Sequence, residues 1–253
     1  MISERTLARY FSGFWTELLP LLTPSFISII NEEFKKHLTD ELGMEIKPVT
    51  KNPQTHYTSV VTEFAFFLAE HAVKCGSRIS ETFDEKHLTT LAEQSALKVV
   101  KEYEGGRIYL PASLKQAELE EGFALARNYE RFFDKRCSNE KIEFNPMIAG
   151  SGFVAQCKAD ISVGTTLFEV KTVDRNLAGK DIRQLIIYLA FQGATGRRRW
   201  KSAGFFNPRK AVYHEFEVED LIGRMSGGRS SMEIFWGLID FVSNRDIQLD
   251  TAF

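Results

Sequence analysis

Between Asp160 and Tyr188 the chain reads DISVGTTLFEVKTVDRNLAGKDIRQLIIY. An aspartate is followed by Glu169-Val170-Lys171, and then by Gln184 and Tyr188 at i and i+4. Two carboxylates and an ammonium gathered at one point suit a hard divalent cation, because Mg²⁺ and Mn²⁺ take oxygen ligands. A carboxylate-held cation beside a lysine is equipment for hydrolysing phosphodiester bonds.

The elements that would bring these groups together can be read from the pattern. From Phe153 to Val163 the odd positions are apolar, and Gln156, Lys158, Asp160 and Ser162 are polar, the period of a half-buried strand. Thr166 to Val173 is a second strand, and Gly164-Thr165 between them fits a type II′ hairpin turn. That turn pairs Val163 with Thr166, Ser162 with Leu167, Ile161 with Phe168 and Asp160 with Glu169. Side chains alternate along a strand, so Asp160, Glu169 and Lys171 share a face, the two acids roughly 5 Å apart at Cβ. Like charges so opposed destabilise a sheet unless a cation sits with them. The same residues also describe a solvated polar sheet face. Asp181 to Gln192 reads as a helix apolar nearly all round, so Gln184 needs hydrogen-bond partners in a buried setting.

This ordered set resembles the PD-(D/E)XK nuclease superfamily, and within it the RecB-like branch with a Gln-x-x-x-Tyr motif. The resemblance spans roughly residues 115–220. It implies an α/β (α+β) fold with a restriction-endonuclease-like mixed β-sheet core flanked by helices. It implies Asp160 and Glu169 as ligands of Mg²⁺ or Mn²⁺, Lys171 as the group orienting water or stabilising the phosphate, and Gln184 and Tyr188 as support. It also implies an acid on an opening helix. Ala159 stands before Asp160 where the family often has proline. Three cysteines, Cys75, Cys137 and Cys157, cannot supply the four that hold an iron–sulfur cluster in some relatives.

The opening helix is sought in Ser113–Arg136, with Ser113 as its N-cap. Phe123, Ala126, Glu130 and Phe133 form one stripe, which makes Glu130 the expected third metal ligand, Glu121 the runner-up and a surface role the bland alternative for either. After the Gln/Tyr helix, Arg197, Arg198, Arg199, Trp200 and Lys201 form a basic loop. It could grip phosphates and stack the indole on a base, or simply be solvated surface.

Residues 1–110 are expected to form an all-helical region serving as scaffold or docking surface, and 111–253 the nuclease-like domain, with the boundary near Gly105–Pro111. The helical reading covers Leu7–His37, interrupted at Pro20 and Pro24, then Val60–Val73 and Asp84–Glu104. Lys141–Ile148 is expected to begin the sheet. Ser202–Phe206 and Ala211–Val218 are further strands, and Ser231–Arg245 a closing helix. A net charge of −2 places nucleic-acid contacts in local patches rather than over the whole surface. The start lacks a cleavage pattern, no apolar run reaches the roughly 20 residues of a membrane span, and the cysteine pattern fits the cytoplasm. The five histidines lack zinc spacing, and no nucleotide-binding Lys-Ser/Thr loop is present. The expected partner is therefore nucleic acid, DNA before RNA, with a helicase or ATPase supplying any motor. DNA repair, restriction and anti-phage defence are the matching roles. A non-catalytic nucleic-acid-binding adaptor and a purely structural interaction domain are the alternatives.

Overall fold

A computed structural model describes residues 1–79, 86–103, 112–137, 140–194 and 200–244. The N-terminal part holds α1 (Glu4–Arg9), α2 (Ser12–Leu18), α3 (Pro24–Glu33), β1 (Lys35–His37), α4 (Thr58–Cys75) and α5 (Lys86–Tyr103). There follow α6 (Gln116–Arg136), β2 (Ile142–Phe144), β3 (Met147–Ile148), β4 (Cys157–Lys158), β5 (Ile161–Val163) and β6 (Thr166–Val170). The chain continues through α7 (Gly179–Ala194), β7 (Ser202–Asn207), β8 (Val212–Glu217), α8 (Val218–Ser226) and α9 (Ser231–Asn244).

The fold is mixed α/β. A six-stranded sheet runs β1-β8-β7-β6-β5-β2, with β6 and β7 parallel and every other pair antiparallel. Helix α7 makes the crossover that parallel neighbours require. Alternation along the strands divides the core. Leu167, Ala203, Phe205 and Phe216 meet α7, α9 and the first two helices, whereas Phe168, Phe206 and Tyr213 meet α4 and α6. Gly204 on β7 has no room for a side chain, since a Cβ there would overlap the carbonyl oxygen of His214 and the Phe168 ring.

The hairpin register is the one the alternation predicts: Val163, Ser162 and Ile161 oppose Thr166, Leu167 and Phe168. Gly164 takes φ +54° and Thr165 keeps a negative φ, as a type II′ turn needs. The long strand expected from Phe153 to Val163 is instead broken. Residues 153–155 tie to the N-terminus, where Ile2 N–H donates to Phe153 O and Ala155 N–H donates to Ile2 O. Downstream, β4 pairs with β3 in a separate two-stranded ladder, and β5 pairs with β2 in the main sheet. The bend between them lies opposite Asn145 and Pro146. Asn145 adopts φ +52°, and proline has no N–H to continue a ladder.

The N-terminal region is not all helical. Lys35–His37 form the edge strand β1 on β8, and α1 lies against α7, so residues 1–110 contribute to both layers. Thr23 caps α3 with Pro24 in its first turn, which explains the break anticipated at the prolines. Helix α6 begins at Gln116 rather than after Ser113, its first turn closed by Glu118 accepting from Lys115 N–H. The boundary expected near Gly105–Pro111 lies outside the described residues. No helix among the described residues is long and apolar enough to cross a membrane.

Candidate active site

Asp160 stands at the bend, one residue before β5, and Glu169 at the penultimate position of β6. Because β5 starts only at Ile161, the N–H of Val170 has no strand carbonyl to meet on that side. Asp160 Oδ2 accepts it instead at 2.6 Å. Parity along β6 then directs Glu169 and Lys171 to the α7 face, opposite Phe168.

Helix α7 completes the constellation. Lys171 Nζ donates to Glu169 Oε1 at 2.7 Å and to Gln184 Oε1 at 2.9 Å. Gln184 Nε2 donates to the Tyr188 hydroxyl at 2.8 Å and to Glu4 Oε1 at 3.3 Å, and Tyr188 in turn donates to Glu4 at 3.5 Å. A glutamine amide turned this way can present only its oxygen to the lysine. Asp181, in the first turn of α7, accepts from both Arg175 guanidinium nitrogens and from Ala178 N–H, and lies 3.9 Å from Lys171.

The electrostatics are those of a crowded, dry acid pair. Glu169 is 2 % exposed. Burial, then the neighbouring Asp160 charge, push its carboxyl up to about 8 despite Lys171. Burial likewise raises Asp160, against the pull of Lys171 and of the Val170 N–H. Burial works against the Lys171 ammonium, but the Glu169 carboxylate outweighs it and holds that pKa above the ordinary lysine value. Asp181 goes the other way, its burial outweighed chiefly by the Arg175 fork, so it remains a carboxylate.

Asp160, Glu169, Lys171, Asp181 and Gln184 open on a cavity of about 870 Å³, with Tyr188 behind Gln184. Glu63 of α4 lines it too; burial raises its carboxyl, and its charge is felt at Asp160. The rim carries exposed Arg9, Lys158, Arg175 and Lys180, together with Arg5. The site lies at the carboxyl end of β6, one of the two parallel strands, where crevices of open α/β sheets bind ligands.

Of the residues singled out by sequence, Asp160, Glu169, Lys171, Gln184 and Tyr188 come together here. Glu130 does not. It accepts from Ile79 N–H at 3.1 Å and lines a different cavity with Asp134 and Cys137. The expected stripe does face inward, but towards α4, beneath the sheet face opposite Glu169. Glu121 is no ligand either. Its carboxylate is consumed by Arg209 at 2.7 Å, Thr55 at 2.6 Å and Asn52 N–H at 2.9 Å. Trp200 is 2 % exposed and its indole donates to Ser162 Oγ, so it cannot stack on a base. Lys201 is exposed, and Arg197, Arg198 and Arg199 lie outside the described residues.

Sequence reasoning missed Glu63, Glu4 and the rim cations. The available signal for Glu63 was an acid set in the apolar run from Val60 to Phe67. Glu4 carried none, since its contact with Gln184 spans 180 residues of chain.

The donor set suits a divalent cation in kind. It offers two adjoining carboxyls, and Glu169 Oε2 meets no N–H donor among the described residues, so it is left to share a proton with Asp160 or to face a cation. Among those residues, no group of three or more His, Cys, Asp or Glu side chains is close enough to hold a metal ion as placed. No protein-family model matches the chain, and no curated protein matches its sequence.

Proposed function

We propose that the chain is a divalent-metal-dependent nuclease of the PD-(D/E)XK type, hydrolysing phosphodiester bonds in nucleic acid, with DNA favoured. One observation carries this reading. The Asp160–Glu169 pair, Glu169 buried and Asp160 half-buried, is joined through Lys171 to Gln184 and Tyr188 and opens on a cavity rimmed by cations. Lys171 balances one carboxylate, whereas two carboxyls side by side on a cavity wall call for a further cation once both are ionised.

Asp160 and Glu169 would hold Mg²⁺ or Mn²⁺, with Glu63 in place of Glu130 as the helix acid on the cavity wall. A bound cation would supply Lewis acidity at the phosphate and lower the pKa of water. The protein's own part is orientation. Glu4 and Tyr188 fix the Gln184 amide, Gln184 holds the Lys171 ammonium, and Lys171 offsets negative charge growing on the phosphate. The rim cations would bind backbone phosphates without reading sequence. A cytoplasmic setting and a helicase or ATPase partner in repair, restriction or anti-phage defence belong to the same reading.

The adaptor alternative is favoured by one specific feature. Lys171 occupies Glu169 Oε1, and no three-carboxylate cluster is assembled among the described residues. Cleavage of circular and linear DNA, single- and double-stranded, with Mg²⁺, Mn²⁺ or EDTA separates the two readings. The nuclease cuts with metal, and Lys171→Ala cuts far more slowly. An adaptor cuts nothing, and calorimetry detects no Mn²⁺ binding that depends on Asp160.

A further inference from the structure

Behind the segment that leads from Lys171 to Leu177 lies a second cavity, of about 300 Å³, the size of a small-molecule pocket. It shares Lys171, Val173 and Arg175 with the larger cavity, so the two adjoin across a single stretch of chain. Its apolar surface comes from Val173, Leu177, Phe205, Val212 and Pro48. Lys35, whose ammonium also meets the exposed Glu32 carboxylate at 3.4 Å, and Lys210 bring positive charge to it from β1 and from the β7–β8 turn, and Asp174 is the acid on its lining. Lys210 Nζ donates to the neutral side-chain oxygen of Asn176.

At the sheet end of this cavity sits His214. The residue is 6 % exposed, and its Nε2 is buried with no hydrogen-bond partner among the described residues. The ring bonds to the backbone of Asn31, and burial disfavours the imidazolium. The neutral ring therefore leaves Nε2 as a lone-pair acceptor. A buried acceptor without a donor costs roughly 1–3 kcal/mol, so a ligand that brings an N–H or O–H to it, with the small ring movement needed to uncover it, gains accordingly.

We infer that this cavity binds a nucleotide, its base or sugar against the apolar surface and His214 Nε2, its phosphate at Lys35 and Lys210. A bare anion would leave the apolar wall and the acceptor unused, and an apolar ligand would leave the lysines unused. A nucleoside phosphate satisfies all three. It could arrive free, or as the nucleotide of a bound strand that follows the one in the larger cavity. The free-nucleotide case stands whether or not the chain cuts DNA; the strand case rests on the nuclease reading.

The test is calorimetric titration of the full chain with the nucleoside monophosphates, with inorganic phosphate and with a short single-stranded oligonucleotide. The Lys35→Ala/Lys210→Ala double variant and His214→Leu are titrated in parallel, after circular dichroism has verified their fold. Nucleoside monophosphates should bind more tightly than inorganic phosphate, and the double variant should weaken them by about tenfold or more, the equivalent of one lost charge-assisted contact. His214→Leu should weaken them and alter the preference among bases. That pattern identifies a free nucleotide. If monophosphates fail but both variants weaken the oligonucleotide, with base preference changed in His214→Leu, the occupant is part of the strand. Inorganic phosphate binding as tightly as any nucleotide, or affinities unmoved in both variants, would overturn the inference.

Discussion

Lys171 reaches across from the end of β6 to Gln184 of α7, its ammonium 2.9 Å from the amide oxygen. That bond joins sheet to helix at the point where Glu169 is deepest. It is also the contact by which Glu4, 180 residues from Gln184 in sequence, bears on the lysine through Gln184 Nε2.

Lys171→Ala should lower the rate of metal-dependent cleavage by about 10²–10³-fold, the usual loss when one pre-organised charge-stabilising group is removed. Oligonucleotide affinity should change little, because the rim cations remain. Single-turnover cleavage and a binding titration on the same protein check both. An unchanged rate would remove Lys171 from the chemistry.

Gln184→Glu keeps the shape but puts an acid where the amide fixed direction. Tyr188 and Glu4 lose their donor, and a third acid joins Glu169 and Asp160. Cleavage should fall in this variant while Gln184→Met, a neutral chain of similar length, falls mainly through a looser Lys171. Comparing kcat with KM for the two distinguishes lost orientation from lost binding; a variant with wild-type values in both would refute the positioning role.

The Glu121–Arg209 pair is a structural counterpart, both side chains 2 % exposed. Glu121→Ala would strand a buried guanidinium and leave Thr55 and Asn52 without their acceptor, so it should destabilise the chain by about 3–5 kcal/mol. The midpoint of urea unfolding reads this directly. The folded fraction should retain its metal affinity, because this carboxylate is spent on the scaffold.

The contrast between Glu121 and Glu169 marks how far sequence carries. The hairpin register was legible, since a period of two and a glycine at the turn leave one pairing that buries Ile161, Val163 and Phe168. The Gln184–Tyr188 spacing was legible because four residues bring side chains to one helical face. The acid on α6 was not. A stripe says that a residue faces inward, not which layer it faces, and α6 lies under the sheet face that Glu169 avoids. Strand β1 was hidden for a different reason. Lys35-Lys36-His37 has no strand pattern of its own and is extended because the edge of β8 offers it a ladder. The kink that aims Asp160 at Val170 depends on Asn145 and Pro146, which pair with it across the ladder and lie outside its local pattern.

His214 gives the stability a pH dependence of definite sign. Burial is the main cause that brings its pKa down to about 4, with Lys35 and Lys210 adding to it and Asn31 and Glu32 opposing. The unfolded chain takes up the proton near the ordinary histidine value while the folded chain does not. Stability is therefore intact above about pH 6.5 and is lost as pH falls towards 4, by up to about 1.4 kcal/mol per pH unit. Between pH 7 and pH 5 this removes about 2 kcal/mol. Unfolding midpoints across that range should show a step that is absent in His214→Leu.

The loop residue Trp200 and the rim residue Arg9 make opposite predictions, and together they test where nucleic acid lies. Trp200 packs in the core and donates to Ser162 on β5. Trp200→Phe should cost about 2–4 kcal/mol of stability through the stranded Ser162 hydroxyl and the space left in the core, and leave DNA affinity alone. Arg9 and Lys180 are exposed on the cavity that holds Asp160 and Glu169. Arg9→Ala or Lys180→Ala should leave stability alone, weaken binding to every DNA sequence alike, and reduce the slope of log affinity against log salt by about 1 each. Fluorescence anisotropy over a range of salt concentrations reads both quantities. If Trp200→Phe weakened DNA binding at unchanged stability while the rim variants did nothing, the strand would run past Trp200 and Lys201, and the cations around the carboxylates would have another purpose.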